Sequence, residues 1–272
     1  MDPLLKWPGG KRHLLPKLIN FVPKSYRRYV EPFFGSGAFF FGIKPSRALI
    51  SDTNEELMGC YQTIREYPKE VANRLLKMKN TAEEYYKTRS SRPKGAIHKA
   101  ARLIYLTRLS FNGIYRVNKK GAFNVPYGYR TWLPSPAANQ IRSISNALQN
   151  CEMQTCDFAE SLSTCRKNDF VYIDPPYTVA HGQNGFLKYN ANLFAWEDQV
   201  RLAEAARILQ KKGCKVLMSN ASHESIRSLY STFEIIEVTR SSTIAASSAY
   251  RGYVQELIIT NIRPRQTSEA EP

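Results

Sequence analysis

The sequence Asp174-Pro175-Pro176-Tyr177 directly follows the apolar run Phe170-Val171-Tyr172-Ile173. Two consecutive prolines forbid further strand or helix, so the chain leaves the strand in a stiff, extended turn. The turn offers a carboxylate and backbone carbonyls as acceptors beside the flat ring of Tyr177. That set suits a planar group with an exposed NH2, gripped by stacking and by accepting its hydrogens. An unpaired purine or pyrimidine base has that form. The same residues also fit a plain strand terminator with a capping Asp, and the rest of the chain decides between the two.

Three other acids sit at the ends of strand-like runs. Tyr29-Val30-Glu31-Pro32-Phe33 leads into Phe34-Gly35-Ser36-Gly37, a Gly-x-Gly turn before an apolar helix start. This has the pattern of the strand-to-helix turn of a nucleotide-binding sheet. No Gly-Lys-Ser/Thr follows, so it is not a phosphate loop, and the third glycine of the dinucleotide fingerprint is missing. A glutamate at the strand end suits an amine or ribose hydroxyls and repels phosphate, which implies a neutral or cationic nucleoside. About twenty residues on, Ala48-Leu49-Ile50-Ser51-Asp52 ends a second strand in an acid, at the spacing of a ribose acceptor. Glu152 to Phe158 reads as a strand ending in Asp157-Phe158, an acid and ring able to hold an adenine. Near the start, Trp7-Pro8-Gly9-Gly10-Lys11 forms a turn that lets backbone approach a ligand closely. Lys11 there could pair with a carboxylate or phosphate, although most Gly-Gly turns are merely turns.

These residues need a sheet to position them, and the chain is long enough to build one. Its 272 residues are 43% hydrophobic and 12% aromatic, which provides for a sizeable core. No run of ~18 apolar residues and no signal pattern is present, so a cytoplasmic protein without a membrane span is expected. Five cysteines, an odd number without Cys-x-x-Cys, and four dispersed histidines argue against a disulfide framework and a metal site. Charge is more informative. The net charge is +16, and the 67 residues between Glu84 and Glu152 hold 12 Lys or Arg and no acid. Glycine, asparagine and aromatic residues alternate with those cations from Ser110 to Arg130. Arg and Asn read purine edges and Lys and Arg neutralise phosphates, so a polyanion-binding insertion is favoured over a merely solvated face.

Periodicity predicts helices over Leu57 to Lys79, Ile97 to Leu109, Phe194 to Gln210 and Ile226 to Phe233. A β-hairpin is predicted to turn at Lys119-Lys120-Gly121, and strands are predicted at Lys215 to Asn220, Phe233 to Val238 and Val254 to Thr260. The polar stretch Gly185 to Tyr189 is expected to form a loop that closes over the site. Strands alternating with helices give a doubly wound, mainly parallel sheet, with Glu31, Asp52, Asp157 and Asp174 at carboxyl ends of strands, where such sheets bind ligands. Residues 59–151 are expected to be an inserted recognition domain, 1–58 and 152–262 the catalytic domain, and 263–272 a flexible tail.

Taken in order, these stretches resemble the Dam-type adenine-specific DNA methyltransferases of the D12 class, in their alpha arrangement. The likeness runs from Leu4 to about Ile262. It rests on Leu5-Lys6-Trp7-Pro8-Gly9-Gly10-Lys11, Val30-Glu31-Pro32-Phe33 with Gly35-Ser36-Gly37, Ser51-Asp52-Thr53-Asn54, Phe111-Asn112-Gly113 with Phe123-Asn124-Val125-Pro126, Asp157-Phe158, Asp174-Pro175-Pro176-Tyr177, Met218-Ser219-Asn220 and Glu256 to Asn261. The resemblance implies a seven-stranded α/β methyltransferase sheet with a mostly helical, hairpin-bearing recognition insert. It implies S-adenosylmethionine as cofactor and double-stranded DNA as partner, with no metal, the chain acting as a monomer or weak dimer on DNA. Trp7 and Lys11 would lie near the methionine end of the cofactor. Glu31, Phe33, Gly35 and Gly37 would line its turn, Asp52 would hold the ribose, and Asp157 with Phe158 the adenine. Asp174, Pro175, Pro176 and Tyr177 would receive a flipped target adenine. Arg116 matches a position that reads guanine in members acting on GATC, and Arg108, Asn112, Asn118, Lys119, Lys120, Asn124 and Arg130 would contact DNA. This chain departs from the pattern at Ile114, where Leu is common, and at Tyr127-Gly128-Tyr129-Arg130. Both departures fall in the specificity region. Two rivals remain: a protein-glutamine methyltransferase, which usually has Asn at the place of Asp174, and an inactive DNA-binding homologue.

Overall fold

A computed structural model describes residues 3–118, 120–133, 135–178, 194–241 and 253–265. Seven strands lie among them: β1 (Tyr29–Glu31), β2 (Ala48–Asp52), β3 (Cys151–Thr155), β4 (Phe170–Ile173), β5 (Lys215–Ala221), β6 (Glu234–Ser241) and β7 (Tyr253–Thr260). They form one sheet in the order β3-β2-β1-β4-β5-β7-β6. β1 pairs in parallel with β2 and β4, and β4 in parallel with β5, whereas β7 runs antiparallel to both β5 and β6. Phe170, Val171, Tyr172 and Ile173 are all buried, the continuous apolar run expected of a central parallel strand covered on both faces. The fold is therefore α/β with a mostly parallel seven-stranded sheet.

The chain divides into two compact units. One comprises Met1–Arg12, Phe34–Ser46 and Ser51–Thr155, the other His13–Phe33, Arg47–Ile50 and Cys156–Pro272. The first unit is mainly helical, with α2 (Ala38–Ile43), α3 (Glu55–Glu66), α4 (Pro68–Leu76), α5 (Ala82–Ser90), α6 (Ala96–Leu109) and α7 (Ala138–Leu148). Side chains cap two of these. Asn54 accepts from the Leu57 N–H at 2.9 Å and Thr81 from the Glu84 N–H at 3.2 Å. The second unit holds α1 (Leu15–Leu18), α8 (Phe158–Ser163), α9 (Trp196–Lys211) and α10 (Glu224–Leu229). Its core gathers Val30, Val171, Ile173, Val216 and Met218 from the sheet with Leu202, Ala206 and Leu209 from α9.

Several boundaries differ from the sequence reading. The helix expected over Leu57 to Lys79 is two helices, broken at Tyr67 (φ −129°, ψ 51°) because Pro68 excludes the helical conformation from the residue before it and opens α4 itself. β3 ends at Thr155, short of Asp157-Phe158. Asp157 instead caps α8, accepting from the Ala159 N–H at 2.9 Å; its backbone is still extended (φ −65°, ψ 149°), but its carboxylate is committed to the helix start. The helix expected to start at Ile226 begins at Glu224, since the His223 ring accepts from the Ser225 N–H, and it ends at Leu229. The expected hairpin is a tight reversal closed by a Val117–Phe123 bridge, with a second bridge, Ser110–Tyr127, further out, and with Asn118 Oδ1 accepting from the Lys120 and Ala122 N–H groups at 2.9 and 3.0 Å. Lys119 and the loop Gly185 to Tyr189 lie outside the described residues.

Candidate active site

In the second unit, the register of β4 on β5 ends at Ile173 opposite Met218. One residue further, the two chains bring Asp174 and Ser219 together, and the Ser219 hydroxyl donates to Asp174 Oδ1 at 2.8 Å. The Tyr172 hydroxyl lies 3.1 Å from Ser219 Oγ. Residues two apart on a strand share a face, which is why Tyr172 and Asp174 both reach Ser219. Behind the turn, Gln199 on α9 donates to the Pro176 carbonyl at 3.5 Å and accepts from Asn220 Nδ2 at 3.2 Å. Tyr177 is partly exposed, with its hydroxyl end buried. Burial, and after it the charges of Asp174 and Glu256, hold that phenol well above the ordinary tyrosine range, so it stays neutral. Glu256 on β7 is buried, and the His13 ring lies 3.6 Å from it.

Two further acids singled out from the sequence belong to this unit. Glu31 is buried at the end of β1 and accepts from the Tyr29 hydroxyl at 2.6 Å. Asp157 Oδ1 also accepts from Arg201 at 2.8 Å, and the guanidinium of Arg201 lies 4.9 Å from the centre of the Phe158 ring. Phe158 stacks on Phe33 at 5.5 Å, and Phe194 meets Phe33 edge-on. Phe158 is buried, whereas Phe33 is only half-buried, so Phe33 is the member of the pair with more ring exposed.

In the first unit, Asp52 organises the glycine turn. Its carboxylate accepts from the Gly35 N–H at 3.0 Å and the Asn54 N–H at 2.9 Å. Burial raises its pKa, opposed by those backbone N–H groups. Gly35 (φ 48°) passes so close to Trp7 that a Cβ there would stand 3.1 Å from the indole, and Trp7 in turn stacks on Tyr115 at 4.4 Å. Gly37 (φ 64°) precedes α2 over the Phe34 and Phe41 rings. Lys11 is buried and donates to the Gly9 carbonyl at 3.0 Å.

The basic segment is ordered by its own polar side chains. Arg116 donates from Nε to Asn124 Oδ1 at 2.9 Å, and both belong to the Val117–Phe123 reversal. Asn112 sits at φ 54°, a conformation asparagine tolerates better than most residues. Arg108 is half-buried and burial lowers its pKa; Arg116, Asn118 and Lys120 are exposed and Arg130 is half-buried. Asn80 donates to the carbonyls of Arg130, Thr131 and Leu133 at 2.8 to 3.2 Å, fixing a loop that displays Tyr129 and Trp132. Lys6 belongs to a stretch the sequence marks, but its type and position there point to no role. Its pKa is lowered by burial, then by Arg130 and Arg108, so three cations are held near one another. Ser219 and Gln199 also received no role from sequence. Ser219 stands beside Asp174 only once the β4–β5 register is known.

Among the described residues no cluster could hold a metal ion, and no helix is long and apolar enough to cross a membrane. The family model for D12 class N6 adenine-specific DNA methyltransferases matches residues 7–244. The chain is 39% identical to type II methyltransferase M1.LlaDCHI of Lactococcus lactis subsp. cremoris, over 96% of this chain and 95% of that protein. It is 33% identical to type II methyltransferase M.MjaIII of Methanocaldococcus jannaschii, over 96% and 99%. To the DNA adenine methylase of Escherichia coli strain K12 it is 31% identical, over 93% of each. A match over nearly the whole chain, with an acid, two prolines and a tyrosine at the end of a parallel strand, makes this protein a member of the D12 class of N6 adenine-specific DNA methyltransferases.

Proposed function

We propose that this DNA adenine methyltransferase takes its methyl group from S-adenosylmethionine and receives its target adenine flipped out of the duplex into the Asp174-Pro175-Pro176-Tyr177 turn. The observation that carries the proposal is an Asp174 carboxylate fixed by Ser219 next to a turn that ends in the ring of Tyr177. The adenine amino nitrogen is a poor nucleophile, because its lone pair is delocalised into the ring, and inside a duplex it is out of reach. In this scheme Tyr177 stacks on the extruded base. Asp174 and the Pro175 carbonyl accept the two amino hydrogens, which draws the nitrogen toward a tetrahedral form and exposes its lone pair. The proton released then leaves to Asp174, directly or through water. Positioning is the main source of rate.

The residues proposed for the cofactor fit a neutral or cationic nucleoside. Asp52 is an acceptor already aligned by the Gly35 and Asn54 N–H groups, and Gly35, lacking a side chain, lets the Trp7 indole pack against the turn. Glu31 supplies negative charge, and the Phe33–Phe158 stack a flat apolar surface. The shared contact of Asp157 with Arg201 means that an adenine amino group would join an existing acceptor network. When bound, the cofactor supplies an electrophilic methyl group. Residues 59–151 are proposed as the DNA-recognition part, with Arg116 as its guanine reader and a GATC or relaxed target.

The test is incubation of the protein with tritiated S-adenosylmethionine and plasmid DNA, followed by digestion with methylation-sensitive nucleases. Adenine labelling in a defined sequence is expected, and Asp174→Ala should abolish it while retaining cofactor binding. Near-normal turnover in that variant would refute the assignment. Label in protein with none in DNA would favour the glutamine-methylating alternative.

A further inference from the structure

We propose that Ser219 and Gln199 are positioning residues that hold the Asp174-Pro175-Pro176 turn for methyl transfer. Ser219 acts by donating to the carboxylate and Gln199 by donating to the Pro176 carbonyl. The inference rests on the assignment of that turn as the target-adenine pocket. Ser219, Asn220 and Gln199 are each 0% exposed, so their hydrogen bonds are made away from water and their partners are few.

The direction of each bond follows from counting protons. Ser219 has one hydroxyl hydrogen, and a carboxylate only accepts, so that hydrogen points to Asp174 Oδ1 at 2.8 Å. The 3.1 Å contact with Tyr172 must then run from the Tyr172 hydroxyl to Ser219 Oγ. The result is a directed series, Tyr172 to Ser219 to Asp174, with each donor strengthening the next. On the other side, Asn220 Oδ1 accepts from the Ala221 N–H at 2.8 Å, which turns its amide NH2 toward Gln199 Oε1 at 3.2 Å. That orients the Gln199 NH2 toward the Pro176 carbonyl at 3.5 Å. Two successive residues of β5, Ser219 and Asn220, thus brace one turn at two points. Proline supplies no N–H with which the turn could brace itself.

The bond to Asp174 has an electrostatic consequence. Tyr172 and Tyr177 both feel the charge of Asp174, and the other acids acting on them are Glu31 on β1, on Tyr172, and Glu256 on β7, on both, with His13 beside Glu256. Two of these are carboxylates, which oppose ionisation of a third. A donor bonded to the charged form favours that form, so Ser219 helps keep Asp174 an acceptor at neutral pH.

The experiment compares Ser219→Ala, Tyr172→Phe and Gln199→Met with wild type and Asp174→Ala. It measures kcat, KM for cofactor and DNA, the pH profile of kcat, and thermal melting. Loss of a hydrogen bond to a charged group should lower kcat about tenfold to a hundredfold in Ser219→Ala and leave KM for the cofactor within about twofold. The acid limb of its profile should move to higher pH, and that of Tyr172→Phe in the same direction by less. Gln199→Met should lower kcat without moving the acid limb, since it touches a carbonyl that does not titrate. Ser219→Thr, which keeps the hydroxyl, should recover most of the rate. Wild-type kcat and acid limb in both folded Ser219→Ala and Tyr172→Phe would overturn the role of Ser219. Wild-type kcat in Gln199→Met would overturn that of Gln199. A purely structural role would lower the melting temperature and leave the pH profile of the folded fraction unchanged, and this too would overturn the proposal. If Ser219→Ala does not fold, the near-isosteric Tyr172→Phe decides on the same limb. Activity in Asp174→Ala would instead show that the pocket assignment itself is wrong.

Discussion

Asp52 is asked to do two tasks at once, because the carboxylate that pins the glycine turn is also the acceptor proposed for the ribose hydroxyls. Only the ionised form accepts on both oxygens, and burial raises its pKa above the ordinary aspartate value. Cofactor affinity should therefore fall as pH drops through that raised value, earlier in an acid titration than an ordinary aspartate near pH 4 would give. Calorimetric titration of wild type and Asp52→Asn checks this. The variant should bind more weakly at neutral pH and lose the dependence. The cysteines give a second reading at this scale. Burial pushes the thiols of Cys151 and Cys165 up to about 12 and that of Cys214 to about 11, with Cys60 higher still. A thiol-specific disulfide reagent at about pH 8 should react fast with at most one thiol of the native protein, Cys156, and with all five after denaturation. Fast reaction of two or more would contradict the burial. Single residues stood out in the sequence where an acid closes an apolar run, as at Asp174 and Glu31, and the structure sets each at the end of a strand. Ser219 did not, because serine in a buried strand is ordinary until a neighbouring strand places it against a carboxylate.

Elements were legible where periodicity or a breaker governs them. β1, β2, β4 and β5 follow from short apolar runs closed by an acid or a polar residue, and α6 from a long apolar helix pattern that ends at Ser110. The break between α3 and α4 was also written in the chain, at Pro68, but a regular apolar spacing across it masked the signal. The end of β3 was not legible from pattern, since Asp157 can close a strand or cap a helix and only the backbone decides. The strand-to-helix turn is the element most sensitive to change. Gly37 has φ 64°, and a Cβ there would lie 2.6 Å from Phe34 and 2.8 Å from Phe41. Gly37→Ala combines left-handed strain with overpacking of two rings, so a loss of about 2–4 kcal/mol is expected in urea unfolding. A loss below about 1 kcal/mol would mean that the turn relaxes easily.

At the scale of the whole molecule, the net charge of +16 is concentrated by a stretch of 67 residues without an acid. A protein that neutralises several phosphates releases a counterion for each, so log K for DNA should fall with log salt at a slope of about −0.9 per contact. A slope of about −4 or steeper is expected from fluorescence anisotropy with a labelled duplex, and one shallower than about −2 would remove the basic stretch from the interface. Base-specific readout is harder to see in sequence, because residue type does not show that Arg116 Nε and Asn124 Oδ1 bond each other or that Asn118 Oδ1 serves its own turn. The far end of the chain carries a different lesson. Arg265 donates from its backbone to Asn20 and from its side chain to Val22 and Pro23, so the chain closes on its own early residues. For protein engineering this sets where a stop codon or fusion belongs. A purification tag joined after Arg265 leaves that strap in place, whereas one joined at Ile262 removes it and frees three carbonyl acceptors on the segment leading into β1.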